Sequence, residues 1–183
     1  MASYLSSMIK QFEYYKRLGD KTFAPLRFDE MLWQSDEHSN SIAILTKHLA
    51  GNMLSRWTNF LTEDGEKEWR NRDDEFISDF DSKEGVIASW ESGWYCLFEA
   101  IKPLKEKDLE RIIYIRNGGH TVAEAINRQL AHYAYHVGQI VFLGKLLKGE
   151  HWESLSISKG DSKLYNEAKF SIEKGKRHFT DDL

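Results

Sequence analysis

An all-α fold, an antiparallel four-helix bundle with long connectors and a polar C-terminal tail, is what this sequence predicts. Four stretches repeat apolar residues at three- and four-residue spacing, the mark of amphipathic helices. Capping and stop residues sit at their ends. One short segment, 112–115, favours extended structure through its three isoleucines, Ile112, Ile113 and Ile115.

The first stripe covers residues 2–19, with Tyr4 or Leu5, Met8, Ile9, Phe12, Tyr15 and Leu18 on one face, and Gly19 reads as its end. Residues 23–37 form a connector with Pro25, in which LRFDEMLW is either a turn of helix or extended chain. The second helix starts near 39–41 and runs to about Leu61. Ile42, Leu45, His48, Leu49, Asn52, Met53 and Trp57 share its broad apolar face. Residues 62–82 alternate in charge sign and read as a solvated loop. Trp69, Arg70 and Arg72 suggest that part of it docks, over a pocket or on the outside of the bundle.

The third helix spans about 82–101, with Val86, Ile87, Trp90, Trp94, Leu97, Phe98 and Ile101 in register and Pro103 just beyond, where helices stop. A connector follows, ending in the short extended segment before a turn at Gly118 and Gly119. The fourth helix, 121–147, begins with a capping box, Thr121 and Glu124. It carries Val122, Ile126, Leu130, Tyr133 and Val137 as its stripe, and it ends with Lys145, Lys148 and Gly149. Residues 1–149 are thus one helical domain. Residues 150–183 are a tail packed on it or extending from it, with Trp152 and a short helix near 164–174.

Composition excludes several function classes. A net charge of −4 and the lack of a Lys/Arg cluster argue against nucleic acid. No run reaches the roughly 20 apolar residues of a membrane span, and the N-terminus has no signal-peptide core, so a cytoplasmic location is expected. The single cysteine, Cys96, allows no intrachain disulfide framework; it lies in an apolar helical run and reads as an inert thiol rather than a nucleophile. Six Trp, eight Tyr and ten Phe make either a ring-rich core or a ring-lined pocket.

The candidate chemistry lies in the histidines. His132 and His136 are four residues apart on the fourth helix, which puts their Cβ atoms about 5–6 Å apart on one face. Position 133 is Tyr, so the glutamate base of a zinc-protease HExxH motif is missing. His48 sits among the core-facing positions of the second helix. If the two helices are neighbours, three imidazoles converge, and a three-histidine set leaves an open metal position for water or substrate. Imidazole suits zinc, nickel, copper or iron, so the sequence does not choose the metal. Asn52 and Arg56 lie one and two turns beyond His48. Arg128 and Gln129 precede His132 by about one turn. All four are candidates for supporting a ligand or meeting a substrate. The competing reading is that the histidines are buried and hold no metal.

One helix with a single histidine, LTKHLAGNMLSRW, and a later helix with HxxxH, QLAHYAYHVGQI, resemble the DinB/YfiT-like superfamily of metal-dependent enzymes. The resemblance covers residues 1–147, and KHLAGNM and HVGQIVFL resemble an uncharacterised bacterial branch of it. It implies a four-helix bundle, often a homodimer, with a divalent metal, zinc or nickel, held by His48, His132 and His136. Characterised relatives include transferases and isomerases that use low-molecular-weight thiols such as bacillithiol and mycothiol. The implied function is therefore a thiol S-transferase that acts on small electrophiles through a metal-bound thiolate, with the thiol as cosubstrate. The alternatives are a metal-dependent hydrolase that uses metal-bound water, and a non-enzymatic stress protein that binds a metal or small ligand.

Overall fold

The four apolar stripes become four long helices around one core. The computed structural model describes residues 3–181. Among them lie α1 (Tyr4–Phe23), α2 (Phe28–Leu32), α3 (Ile42–Trp57), α4 (Lys83–Ile101), β1 (Ile112–Ile115), β2 (Gly118–Thr121), α5 (Val122–Lys148) and α6 (Ser162–Phe170). The chain is helical, with a two-stranded hairpin as the only sheet among the described residues. The expected antiparallel order is not kept: α1 runs parallel to α5, with Tyr4 against Asn127 and Thr22 beside Gly144, and α4 runs parallel to α3, because the long 58–82 connector carries the chain back to the end where α3 begins. No helix among them is long and apolar enough to cross a membrane.

Side-chain caps set the starts of the long helices. Ser3, Ser41, Ser82 and Thr121 each accept a hydrogen bond from the backbone N–H three residues on. That satisfies one of the otherwise unpaired donors of the first turn. The fourth helix starts and stops as its sequence signals predict, with a Thr121–Glu124 capping box and Gly149 in the left-handed region at φ 53°. The first helix does not. Its expected start, Ala2, lies outside the described residues, and Gly19 does not end it. Gly19 is buried within α1, and a Cβ there would collide with the Trp90 ring of α4. The glycine lets two helices approach; it does not stop one. Gly93 plays the same part between α4 and α3, where a Cβ would sit 2.9 Å from Ala50 Cα. The second helix is shorter than expected, ending at Trp57, with Asn59 in a turn at φ 48°.

The large rings form the centre of the core. Trp90, Trp94, Tyr133 and Phe12 are all almost fully buried. Trp94 and Tyr133 meet edge to face at 5.9 Å, and Phe12 lies 6.4 and 6.0 Å from them, which ties α1, α4 and α5 together. One buried polar chain crosses from α3 to α5. Trp57 Nε1 donates to Tyr133 Oη at 3.0 Å, and Tyr133 Oη donates to Asn52 Oδ1 at 3.1 Å. Burial pushes the Tyr133 phenol well up, so it remains a donor throughout the working range.

The hairpin corrects a second expectation. The turn is made by Arg116 and Asn117, at φ 54° and 59°, as a two-residue hairpin with both central residues left-handed requires. Gly118 and Gly119 belong to β2, paired with Ile115 and Tyr114. The Asp64 carboxylate clamps this turn to the 58–82 loop, accepting from the backbone N–H groups of Glu66, Arg116 and Asn117 at 2.7–2.8 Å. The Gly65 N–H adds a bond to the Tyr114 carbonyl at 2.8 Å. Thr121 both ends β2 and caps α5, so this clamp holds the loop against the start of the histidine helix.

Tyr133→Phe keeps the ring but leaves the Trp57 N–H and the Asn52 carbonyl without a partner; it should cost about 1–3 kcal/mol, read from urea unfolding. Burial pushes the Asp64 carboxyl up, but three backbone donors and nearby Arg56 outweigh that and hold it below the usual carboxylate range. A lowered folded-state pKa stabilises above the unfolded value and is lost as pH falls through the folded one. The stability gap between the natural chain and Asp64→Asn should therefore be constant at neutral pH and close below about pH 4. A gap unchanged at pH 3 would contradict this.

Candidate metal centre

His48, His132 and His136 meet at one place. Each offers a ring nitrogen, and the three nitrogens lie within 4.8 Å of one another. Ring centroids are 4.8–5.4 Å apart. α3 supplies the first and α5 the other two. Positions 132 and 136 are one helical turn apart, beside the apolar row of Tyr133 and Val137 that anchors α5 in the core. His48 is 4% exposed; His132 and His136 are half-buried.

The hydrogen bonds orient the rings. Glu75 Oε2 lies 2.9 Å from His48 Nδ1. Burial pushes the Glu75 carboxyl up, yet its bonds to His48 and Arg70 outweigh this and hold it below the usual range. An ionised carboxylate only accepts, so Nδ1 carries the proton toward Glu75, and Nε2 is the ring nitrogen turned to the other histidines. Gln139 does the same on α5, with Oε1 2.8 Å from His136 Nδ1. His48 Nε2 faces His132 Nε2 at 3.3 Å. Two ligand nitrogens at 2.0–2.1 Å from a tetrahedral zinc are roughly 3.3–3.4 Å apart. Burial, the other two histidines, and Arg56 and Arg70 push His132 down to about 3, and burial, aided by His48, lowers His136. Proton binding there is unfavourable, which leaves lone pairs free for a cation. Three converging nitrogens, two of them held by acceptors behind the ring, fit a divalent metal.

The loop read as solvated supplies much of this. Its 3-10 turn, Asp73–Phe76, brings Glu75 against His48 and stacks Phe76 on the His48 ring at 5.0 Å. Arg70 holds Glu75 from the far side, at 2.7 and 2.9 Å. Gly51 makes room, since a Cβ there would collide with the Glu75 carboxylate. Trp69, expected to dock, is 60% exposed instead. Glu75 lay in an irregular run of mixed charges without periodicity, so nothing in the sequence marked it. Gln139 had a usable signal, three residues after His136 on the same helix.

The remaining candidates line the same cavity, of about 330 Å³, with Arg70, Arg72, Phe76 and Arg116. Among the described residues Asn52 makes no hydrogen bond to a histidine; its carbonyl is taken by Tyr133, because that buried phenol needs an acceptor. Arg56 is buried and pairs with Glu66 at 3.1 Å. Arg128 sits at the exposed rim, 3.3 Å from His120 Nε2. Gln129 is buried, and its Oε1 has no partner among the described residues. Cys96 lies away from this cavity, beside Thr58.

A family model described as a protein of unknown function (DUF1572) matches residues 1–161. The chain belongs to the DUF1572 family. The three histidines, Glu75, Arg70 and Gln139 all lie inside the matched span, and α6 lies beyond it. Comparison with curated proteins and with solved structures returned no match.

Removing the acceptor behind a metal-binding histidine typically costs 10–100-fold in affinity. Glu75→Ala, which removes that acceptor from His48, should therefore weaken zinc binding by about that factor in competition with a chromophoric chelator. Gly51→Ala, which displaces Glu75 without touching a histidine, should do the same. Unchanged affinity in both would remove Glu75 from the centre.

Proposed function

We propose that this chain is a metal-dependent enzyme on a four-helix bundle of the DinB-like kind, a thiol S-transferase acting on small electrophiles. The observation that carries the reading is the convergence of His48, His132 and His136 at an open cavity. An all-nitrogen set suits zinc or nickel. A divalent ion held there would supply Lewis acidity and lower the pKa of a thiol or water that it coordinates.

The chain's own residues prepare that position. Glu75 and Gln139 fix the tautomers of His48 and His136, and Arg70 compensates the buried Glu75 charge. Phe76 covers one face of His48 and limits water there. Among the described residues no carboxylate lines the cavity itself. That favours a thiol over water as the nucleophile, because a thiol, with an ordinary pKa of about 8.5, needs little help from a base. The cosubstrate would be a low-molecular-weight thiol and the second substrate a small electrophile. The proposal includes a cytoplasmic homodimer. Tyr135, Phe142 and Leu146, exposed along one face of α5, support an association surface.

The test is to strip the protein of metal, reload it with zinc or nickel, and follow consumption of a haloalkyl electrophile by a small thiol. Turnover should need both metal and thiol, and His132→Ala should lower kcat/KM by about a hundredfold or more. Turnover unaffected by that substitution overturns the reading. Metal-dependent turnover without thiol would establish the hydrolase in its place.

A further inference from the structure

The cavity is built from arginine. The chain has nine arginines and sixteen lysines; five of the arginines, Arg56, Arg70, Arg72, Arg116 and Arg128, and none of the lysines, line this one cavity. The protein as a whole carries −4, so the concentration of cation is local. Two carboxylates, Glu66 and Glu75, answer it. Glu66 is shared by Arg56, Arg70 and Arg116 at 3.1–3.7 Å, and Glu75 is held between Arg70 and His48. Arg72 and Arg128 meet no carboxylate within ion-pair distance among the described residues. Arg72 lies over the Phe76 ring at 5.2 Å, and Arg128 approaches His120.

A structural ion-pair network explains the three shared arginines but not the other two, nor the atoms left without partners. Arg56 is 7% exposed and its Nε is a buried donor with nothing to donate to. Gln129 is 3% exposed and its Oε1 is a buried acceptor with nothing to accept. Unpartnered buried polar atoms are costly and uncommon. Here both residues line one open cavity. Burial, together with the neighbouring Arg70 charge, lowers the Arg56 pKa, a strain that an incoming anion would relieve. The choice of arginine over lysine is also informative. Guanidinium is a planar fork that binds carboxylate or phosphate through two parallel hydrogen bonds, whereas ammonium acts as a point charge.

We propose that this cavity binds a small molecule carrying a carboxylate or phosphate group, gripped by Arg72 and Arg128 at the mouth and Arg56 at the floor, with Gln129 accepting from a hydroxyl or amine of the same molecule. Arg128 lies one turn before His132 on α5, about 6 Å along the axis, and Arg56 two turns past His48 on α3, about 12 Å. The anionic group thus binds beside the histidines and not on them, and the ligand's reactive part extends toward the histidines. This rests on the reading of the cavity as a ligand site and adds the charge class of its substrate.

The experiment is calorimetric titration of metal-free, full-length protein at low salt with succinate, inorganic phosphate and the neutral isostere succinamide. Succinate or phosphate should bind at least about tenfold more tightly than succinamide, and the tighter of the two identifies the group preferred. The Arg72→Gln/Arg128→Gln pair should lose about tenfold or more while retaining the natural circular dichroism spectrum. Arg111→Gln, an exposed arginine outside the cavity, should bind the anion as the natural chain does, and because the titration is metal-free its outcome is separate from that of the metal-dependent proposal. Equal binding of succinate and succinamide, no binding of either anion, or natural affinity in the double variant would overturn it.

Discussion

The hydrogen bond between His48 and Glu75 is the contact on which the rest of the site depends. It joins a core-facing helix to a loop that has no regular structure apart from one 3-10 turn. Together with the Asp64 clamp, it holds a long polar segment over the histidines. With it, one buried carboxylate does three things. It fixes the ring of His48, it draws in Arg70, and it leaves Phe76 stacked on the imidazole. A buried carboxylate is tolerated only when its charge is answered, and Arg70 together with His48 answers it. Gly51 is the necessary complement on the helix, because any side chain there would occupy the space of the carboxylate.

The histidine helix is held from its other side. Residues 132 and 133 are adjacent but point to different surroundings, the first into the cavity and the second into the ring-packed core. Tyr133 bonds to both Trp57 and Asn52 and so sets the height of α5 against α3. Because His132 and His48 sit on those same two helices, the core hydrogen bonds and the spacing of the imidazoles are one geometric constraint. The aromatic residues contribute mainly through the core, as Trp90, Trp94 and Phe12 show by their burial. Phe76 is the ring that reaches the cavity.

The electrostatics of the cavity are unusual for an acidic chain. Arginines from the 3-10 turn region, the hairpin turn and both histidine helices are gathered around three imidazoles, of which burial lowers the proton affinity of His132 and His136. The Asp64 clamp has a share in this, since it holds the hairpin turn that carries Arg116 against the loop that carries Glu66. The surroundings disfavour a proton on His132 and His136 while offering cations to an anion. Those are the conditions under which a metal and an acidic ligand can occupy neighbouring positions without competing for the same groups.

The sequence by itself determined the helical class, the four long helices and the candidacy of His48, His132 and His136. These features are local. Apolar spacing, caps and a four-residue histidine repeat are all written within one turn or one helix, so they can be read without knowing what lies opposite. It misread Gly19 as a stop and Gly118–Gly119 as a turn, because glycine marks both a chain reversal and a close approach, and only the neighbour tells which. Tertiary structure alone decided that the 62–82 loop closes on the site, that Glu75 and Arg70 stand behind His48, that Asn52 serves Tyr133, and that five arginines share one cavity. Those relations join residues far apart in the chain, through packing and through the need of buried polar groups for partners, and no spacing along the sequence encodes them.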